Sequence, residues 1–497
     1  MKYIKKCWAL MMLCVCGIYG MQAQPVVQLS LQKAIELAND SSLAAMKNRN
    51  RFLASYWEFR SFRANRLPSL TLSLTPAKYF RNITQRYDSN SDQDVFREQQ
   101  MYSASGSLSV QQNLDWLGGT FYLNTDLDYM RNFGELKSTQ FSSVPFQLGY
   151  TQNLLGYNAF KWDKLIEPLK YEVARKQFVY NMEVVSENVV TLFFRLAMAQ
   201  AEYKLAQENL ATTEKLCKIA RERHKIASIS KADLLTLELD AVNARNSLEN
   251  ARMDTKRASF SLATYLKLDK DIEIVLDMPG LPMRMEIPLD KALDMARENN
   301  PAVLSQRQQV LEAEETVDRT RKESRFNASF NASVGFNQVA GNFRDAYHNL
   351  LQQDLVSISM SIPLVDWGVR KGKFNMARNN LSVARLTAEE EKQNIEEEVV
   401  MTVNDFNIQR NLIASAEEAL NLAEMAYEQT QERFIIGKAD VNSLTMALNR
   451  QQSAQNNYIS SLQNYWLSYY KIRKLTLFDF ASGLSLYSKL KFDYARY

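Results

Sequence analysis

From Leu169 to Met278 the chain runs for 110 residues without a glycine or a proline. At ordinary usage about 12% of residues are one or the other, so about thirteen breakers are missing. Two further such tracts, Lys373 to Ile436 and Lys438 to Ser482, are parted only by Gly437. Tracts of this kind suit very long helices, because glycine and proline are the residues that end them. Within the second tract, apolar or small residues fall at Ala377, Leu381, Ala384, Ala388, Ile395, Val399, Phe406, Ile413, Ala416, Leu420, Ala423, Tyr427 and Phe434. The steps are three, four or seven residues, a heptad-like stripe. At 1.5 Å per residue the tract would reach about 96 Å as a helix, longer than an ordinary soluble domain needs.

The first 23 residues read differently. Lys2, Lys5 and Lys6 precede an apolar core from Trp8 to Tyr19, and Met21-Gln22-Ala23 offers a small residue for cleavage. This is the pattern of a secretory signal peptide, too short for a membrane span. Cys14 and Cys16 follow Leu13 and Val15 rather than small residues, which argues against lipoprotein processing. Removing the leader takes away three lysines and no acid, leaving 57 basic against 56 acidic residues. A balanced surface argues against nucleic acid as a partner. Three of the four cysteines also leave, so Cys217 has no internal disulfide partner and reads as a small core residue.

Catalytic signatures are missing. His224 and His348 stand 124 positions apart, and no His or Cys cluster has metal-ligand spacing. There is no glycine-rich phosphate loop and no nucleophile elbow, so neither an enzyme nor a cofactor is expected. After the leader no apolar run is long enough to cross a bilayer as a helix. A chain like this crosses a membrane with strands or not at all.

Leu31-Gln32-Lys33-Ala34 through Ala38-Asn39-Asp40 reads as a helix start, and Leu289-Asp290-Lys291-Ala292 through Ala296-Arg297-Glu298 repeats it 258 positions later. Arg223 pairs with Arg433 at an offset of 210, while Leu235, Leu266 and Leu268 pair with Leu444, Leu475 and Leu477 at 209. The change of offset places a one-residue insertion or deletion near a turn. The chain thus reads as an internal duplication. Residues 1–23 are the leader and 24–286 a first repeat, with strands at about 69–155 and a helical hairpin over 158–278. Residues 287–480 are a second repeat, with strands at about 326–364 and a hairpin over 369–478, and 481–497 form a tail. The proline-rich segment Pro279–Pro288 joins the halves.

Each half interrupts its helices with alternating segments. Phe326, Ala328, Phe330, Ala332, Val334 and Phe336 alternate with Asn, Ser and Gly, and Val356, Ile358, Met360 and Ile362 alternate with serines. Four candidates stand in the first half: Leu70 to Leu74, Ser105 to Leu114, Phe121 to Tyr129 and Phe146 to Tyr150. Strict period two over nine to eleven residues is what a membrane barrel strand shows, with one face to lipid and one to water. A half-buried strand of a soluble sheet shows it too. Aromatics such as Tyr79, Tyr102, Trp116 and Phe141 crowd the segment ends, as interfacial girdles do or as packing under a large loop does.

These features together resemble the TolC-like outer-membrane efflux family, over essentially the whole chain after the leader. The most specific marks are Arg433-Phe434-Ile435-Ile436-Gly437 followed by Leu444 and Ala447, with Tyr458 further along. Ile362-Pro363-Leu364-Val365-Asp366-Trp367-Gly368 and Thr151-Gln152-Asn153-Leu154-Leu155-Gly156 resemble its strand-to-helix junctions. The resemblance implies a mainly α fold with membrane β, in which duplicated long helical hairpins form a trimeric α-barrel below a shared transmembrane β-barrel. It implies a homotrimer in outer-membrane lipid, working with a periplasmic adaptor (membrane fusion) protein and an inner-membrane transporter. It places Arg223, Ala227, Ser228, Arg433, Phe434 and Gly437 at a periplasmic tip where an adaptor docks. Asp233, Lys438, Asp440 and Asn442 become candidates for a pore constriction. The sequence departs from the family at two points: Ala227 and Ser228 stand where a glycine is expected, and Asn442 and Thr445 stand where an acid ring is expected.

The function this implies is a passive exit duct of a tripartite efflux or type I secretion system, powered by its inner-membrane partner. A periplasmic adaptor would carry one helical hairpin rather than two, and an exported coiled-coil protein would leave the alternating segments unexplained. Glu389 to Glu391 and Glu396 to Glu398 read as solvated helix faces. His224 reads as a polar turn residue, and Pro168 as a kink or helix-entry proline.

Overall fold

The structure is a computed structural model that describes residues 26–487, apart from 90–91, 134–136, 155, 227–228, 270–271 and 281–284. The expected leader, most of the expected tail, Leu155 of one junction motif, and Ala227 and Ser228 of the expected tip lie outside the described residues. In chain order the elements are β1 (Val26–Ser30), α1 (Leu31–Ser41), α2 (Leu43–Ala64), β2 (Ser69–Asp88), β3 (Gln93–Leu114), β4 (Gly119–Asn132) and β5 (Ser138–Leu154). Then come α3 (Ala159–Lys225), α4 (Lys231–Leu266), β6 (Glu273–Asp277), α5 (Leu289–Asn299), α6 (Pro301–Glu323), β7 (Asn327–Ala340) and β8 (Leu351–Ser361). The chain ends with α7 (Val369–Ile435), α8 (Val441–Thr476) and the two-residue strands β9 (Phe478–Asp479) and β10 (Leu484–Ser485). It divides into two compact units. One takes in the chain up to Phe52, Lys176–Asn300 and everything from Gln393; the other is Leu53–Arg175 with Pro301–Lys392.

The first unit is helical. Both α3 and α7 have 67 residues, and both α4 and α8 have 36. Every position of the α7 stripe is buried or half-buried, with Val399, Phe406 and Ile413 almost wholly so. The stripe packs because one heptad face meets neighbouring helices while the rest stays in water. Phe406 packs against Tyr465, the rings tilted at 35° with centroids 4.8 Å apart. Beside them Arg473 pairs with the buried Glu183 at 3.0 Å, and Lys474 with Glu187 at 2.8 Å. Burial pushes the Glu183 carboxyl up, and the Arg473 guanidinium opposes that shift. The second glutamate triplet is more than a solvated face, since Glu396 takes Arg297 at 2.8 Å and Glu398 takes Lys471 at 3.0 Å.

Two details differ from the sequence reading. The first hairpin does not stay helical to residue 278. The helix α4 stops at Leu266, Lys267 turns left-handed with φ 59°, and Glu273–Asp277 pairs in parallel with Val26–Ser30. The end is a Schellman motif without glycine: Leu268 N–H donates to Ala263 O at 2.9 Å and Lys267 N–H to Thr264 O at 3.2 Å. Nor is there a one-residue slip near the turn. Both pairs of long helices begin and end 210 positions apart. Leu234, not Leu235, therefore stands in the place of Leu444; Leu234 packs inward while Leu235 is exposed.

The second unit holds one antiparallel sheet in the order β2-β3-β4-β5-β7-β8. All four first-half candidates join it. The sheet does not close on itself, and among the described residues β2 and β8 have no second strand partner. Its foot is tied to helices by side chains: Asn158 donates to Asp115 O and caps α3 through Lys161 N–H, and Trp162 donates to Asp318 at 3.0 Å. Pro168 lies inside α3, as its tenth residue.

Candidate functional site

Register decides what each face of the sheet presents. Straight across the strands, Leu70 pairs with Val110, then Leu123, Leu148 and Val334, and the rung ends at Asp354 on β8. The adjoining rung is Thr71, Ser109, Asn124, Gln147, Gly335 and Gln353. Paired residues share a face, so one face is mainly apolar and the other mainly hydroxyl and amide. The apolar side is open: Leu72 is 62% exposed, Ile358 64% and Val356 73%. A soluble sheet would cover such a face, because each buried large aliphatic side chain stabilises by about 1.5–3 kcal/mol.

Aromatic rings bound this face in two rows. Phe121, Tyr150 and Phe330 form one, with centroids 4.6 and 6.3 Å apart in succession. Tyr102, Tyr129, Phe141 and Phe343 form the other, at 6.1, 5.0 and 6.1 Å. Eight residues separate Phe121 from Tyr129 along β4, about 26 Å at 3.3 Å per residue. At the tilt of barrel strands, about 35–45°, this gives about 19–22 Å of height, close to the apolar band of about 25 Å that a membrane barrel carries between aromatic girdles. The open apolar face and its two aromatic rows are geometry the linear sequence does not display.

The second constellation is the meeting of four helix ends in the helical unit. Leu216, Cys217 and Ala220 of α3, Leu237 of α4, Phe434 of α7 and Leu444 of α8 form one buried cluster. Arg223 donates to the Ile435 carbonyl across the two hairpins. The α7 end is a Schellman motif: Lys438 N–H donates to Arg433 O at 2.8 Å and Gly437 N–H to Phe434 O at 3.0 Å, with Gly437 at φ 79°. His224 Nδ1 lies 3.2 Å from Ile229 O.

Two of the four expected constriction residues, Asp233 and Asp440, are engaged at helix starts. Ser230 caps α4, taking Asp233 N–H at 3.1 Å, and its hydroxyl donates to Asp233 Oδ2 at 2.7 Å. At α8 the same two residue types appear in reverse order: Asp440 is the cap and takes Ser443 N–H at 2.8 Å. Hydrogen bonds from Ser443 hold the Asp440 carboxyl below the usual carboxylate range. Lys438 and Asn442 are exposed, and within one chain no ion pair joins Lys438 to Asp233 among the described residues. Sequence reasoning missed the Ser-Asp pairing, although Ser230-x-x-Asp233 is itself a legible capping signal.

Residues 292–476 match the family model described as outer membrane efflux protein. This stretch, a little over a third of the chain, is similar to outer membrane efflux proteins. Solved structures agree on the fold. The outer membrane channel CmeC of Campylobacter jejuni is 13% identical, with a TM-score of 0.63 over 92% of this chain and 89% of that one. The outer membrane protein VceC of Vibrio cholerae is 14% identical, with a TM-score of 0.61 over 90% and 95%. A membrane protein from Pseudomonas aeruginosa is 14% identical, with a TM-score of 0.63 over 90% of each chain. No curated protein matches the chain in sequence. The fold shared with these structures is mainly helical with strands, and the family model matched is one of outer membrane efflux proteins.

Proposed function

We propose that three copies of this chain form a passive outer-membrane exit duct for a tripartite efflux or type I secretion system. The observation that carries this is the open apolar sheet face bounded by two aromatic rows at membrane spacing. Lipid is the solvent in which that face costs nothing, and the polar face then lines a watery lumen. An open sheet edge in lipid leaves backbone groups unsatisfied, so further copies must close it. We read residues 24–286 and 287–480 as the two repeats, supported by the equal helix lengths and constant offset. The helical part then lies in the periplasm, with energy supplied by an inner-membrane transporter and contact made through an adaptor.

In this reading Arg223, Arg433 and Gly437, together with Ala227 and Ser228, form the surface an adaptor meets, and Phe434 packs beneath it. Asp233, Lys438, Asp440 and Asn442 narrow the pore by links between copies. An exposed ion pair is worth only about 0–1 kcal/mol, so several links around the ring must act together. Asp233→Asn keeps an acceptor for Ser230 and removes the charge, and it should raise conductance in planar bilayers; unchanged conductance removes Asp233 from the gate. The duct itself is tested by fractionation with heat-modifiable gel mobility. An outer-membrane protein whose mobility changes on heating is expected, and a protein wholly soluble in the periplasm contradicts the proposal.

A further inference from the structure

We infer that β8 of one copy pairs antiparallel with β2 of the next, Met360 opposite Leu70, so that all six strands of each copy enter one barrel of eighteen. The inference rests on the homotrimer reading above and adds to it a strand count and a register.

Three features of the sheet lead there. The first is polarity. The six strands alternate in direction, so β8 runs toward the foot of the sheet and β2 away from it. An even number of strands lets copies join edge to edge in antiparallel sense without reversal. The second is facing. Leu70, Leu72 and Leu74 of β2 lie on the apolar face, as do Val356, Ile358 and Met360 of β8. A slip of one residue would turn one of these sets toward the polar side.

The third feature is stagger. The rung that starts at Leu70 reaches β8 at Asp354. On β2 the foot, Ser69, lies one residue from that rung; on β8 the foot, Ser361, lies seven residues from it. The foot thus drops six residues over six strands. One residue of stagger per strand, at about 3.3 Å rise and 4.8 Å spacing, inclines the strands by about 35°. Closed barrels have tilts of about 35–45°. A level foot requires Ser69 opposite Ser361, which sets Leu70 against Met360, Leu72 against Ile358 and Leu74 against Val356. Two residues less of stagger would lower the tilt to about 25°. Two more would need Ile362, past the end of β8, opposite Leu70. The eleven residues of β8 then end about level with Tyr79, and the rest of the β2–β3 hairpin stands beyond the barrel wall.

Cysteine pairs in the full chain, oxidised in native outer membranes, test this. Facing residues of antiparallel strands lie within disulfide reach. Leu72→Cys with Ile358→Cys, and independently Leu70→Cys with Met360→Cys, should give covalent dimers and trimers, while either cysteine alone gives none. Leu123→Cys with Ile358→Cys should give none, because β2 and β3 intervene. Bridging of that pair instead would put the β2–β3 hairpin outside the barrel and overturn the strand count, leaving the trimer intact. Failure of all pairs, with trimers still captured by an amine crosslinker, overturns the register. Failure of all pairs and no captured trimer overturns the homotrimer reading on which the inference rests.

Discussion

The sheet and the helix-end cluster solve the same problem in opposite ways. At the cluster, Leu216 is 2% exposed and Leu237 3%, and charged residues such as Lys438 lie outside. On the sheet the aliphatic side chains are the open ones and the hydroxyls share the other face. One sequence therefore codes for two solvents. What tells them apart is where the apolar residues end up after folding, since both regions are rich in leucine and phenylalanine.

If that contrast is right, a substitution should do opposite harm in the two places. Phe434→Ala opens a cavity among four helix ends and should cost about 3–5 kcal/mol of local stability. Hydrogen exchange of the amides around Arg223 and Gly437 should speed accordingly, with the sheet amides unaffected. Val334→Arg, midway between the aromatic rows, should cost about 2–4 kcal/mol. Phe330→Arg sits in a row and should cost less, and Asn331→Arg on the polar face less still. Urea unfolding of vesicle-inserted protein would show this order; equal costs at Val334 and Asn331 would erase the distinction between faces.

Smaller effects sharpen the helix-end side of the contrast. A Cβ at Gly437 would meet nothing nearer than Arg223 Nη1 at 3.6 Å, so Gly437→Val is costly through its positive φ alone. About 1–2 kcal/mol is expected, and it should weaken adaptor capture while heat-modifiable mobility stays normal. Ser230→Ala should cost about 1 kcal/mol at the start of α4, and Ser230→Gly only a few tenths. Exchange rates at Asp233 and Leu234 would register the difference.

The long helices, the stripe and the strand segments were all legible, because each is a period in the chain. The stop at Lys267 was not, since a glycine search cannot find a left-handed lysine. The β6 strand hid for the same reason, inside a tract whose lack of breakers looked helical although it carries Ile274 and Val275. The matching of Leu235 with Leu444 failed because Leu234 and Leu235 are chemically alike, and only burial separates them. At the candidate site, Arg223, Phe434 and Gly437, which only the family resemblance groups, lie near one another at the helix ends. The resemblance implies gate charges at Asp233 and Asp440, and only the fold shows that both side chains also bond at helix starts. The two aromatic rows needed register, which no single segment contains.

The central claim, that the open apolar face meets lipid, is tested most directly by spin labels placed one at a time along β7 from Ala328 to Phe336 in the outer membrane. Collision with oxygen should be high at Ala332, Val334 and Phe336, and collision with a water-soluble nickel chelate high at Asn331, Ser333 and Gly335, alternating with period two. Nickel accessibility as high at Val334 as at Ser333 would show that the face is wet, and would contradict the account.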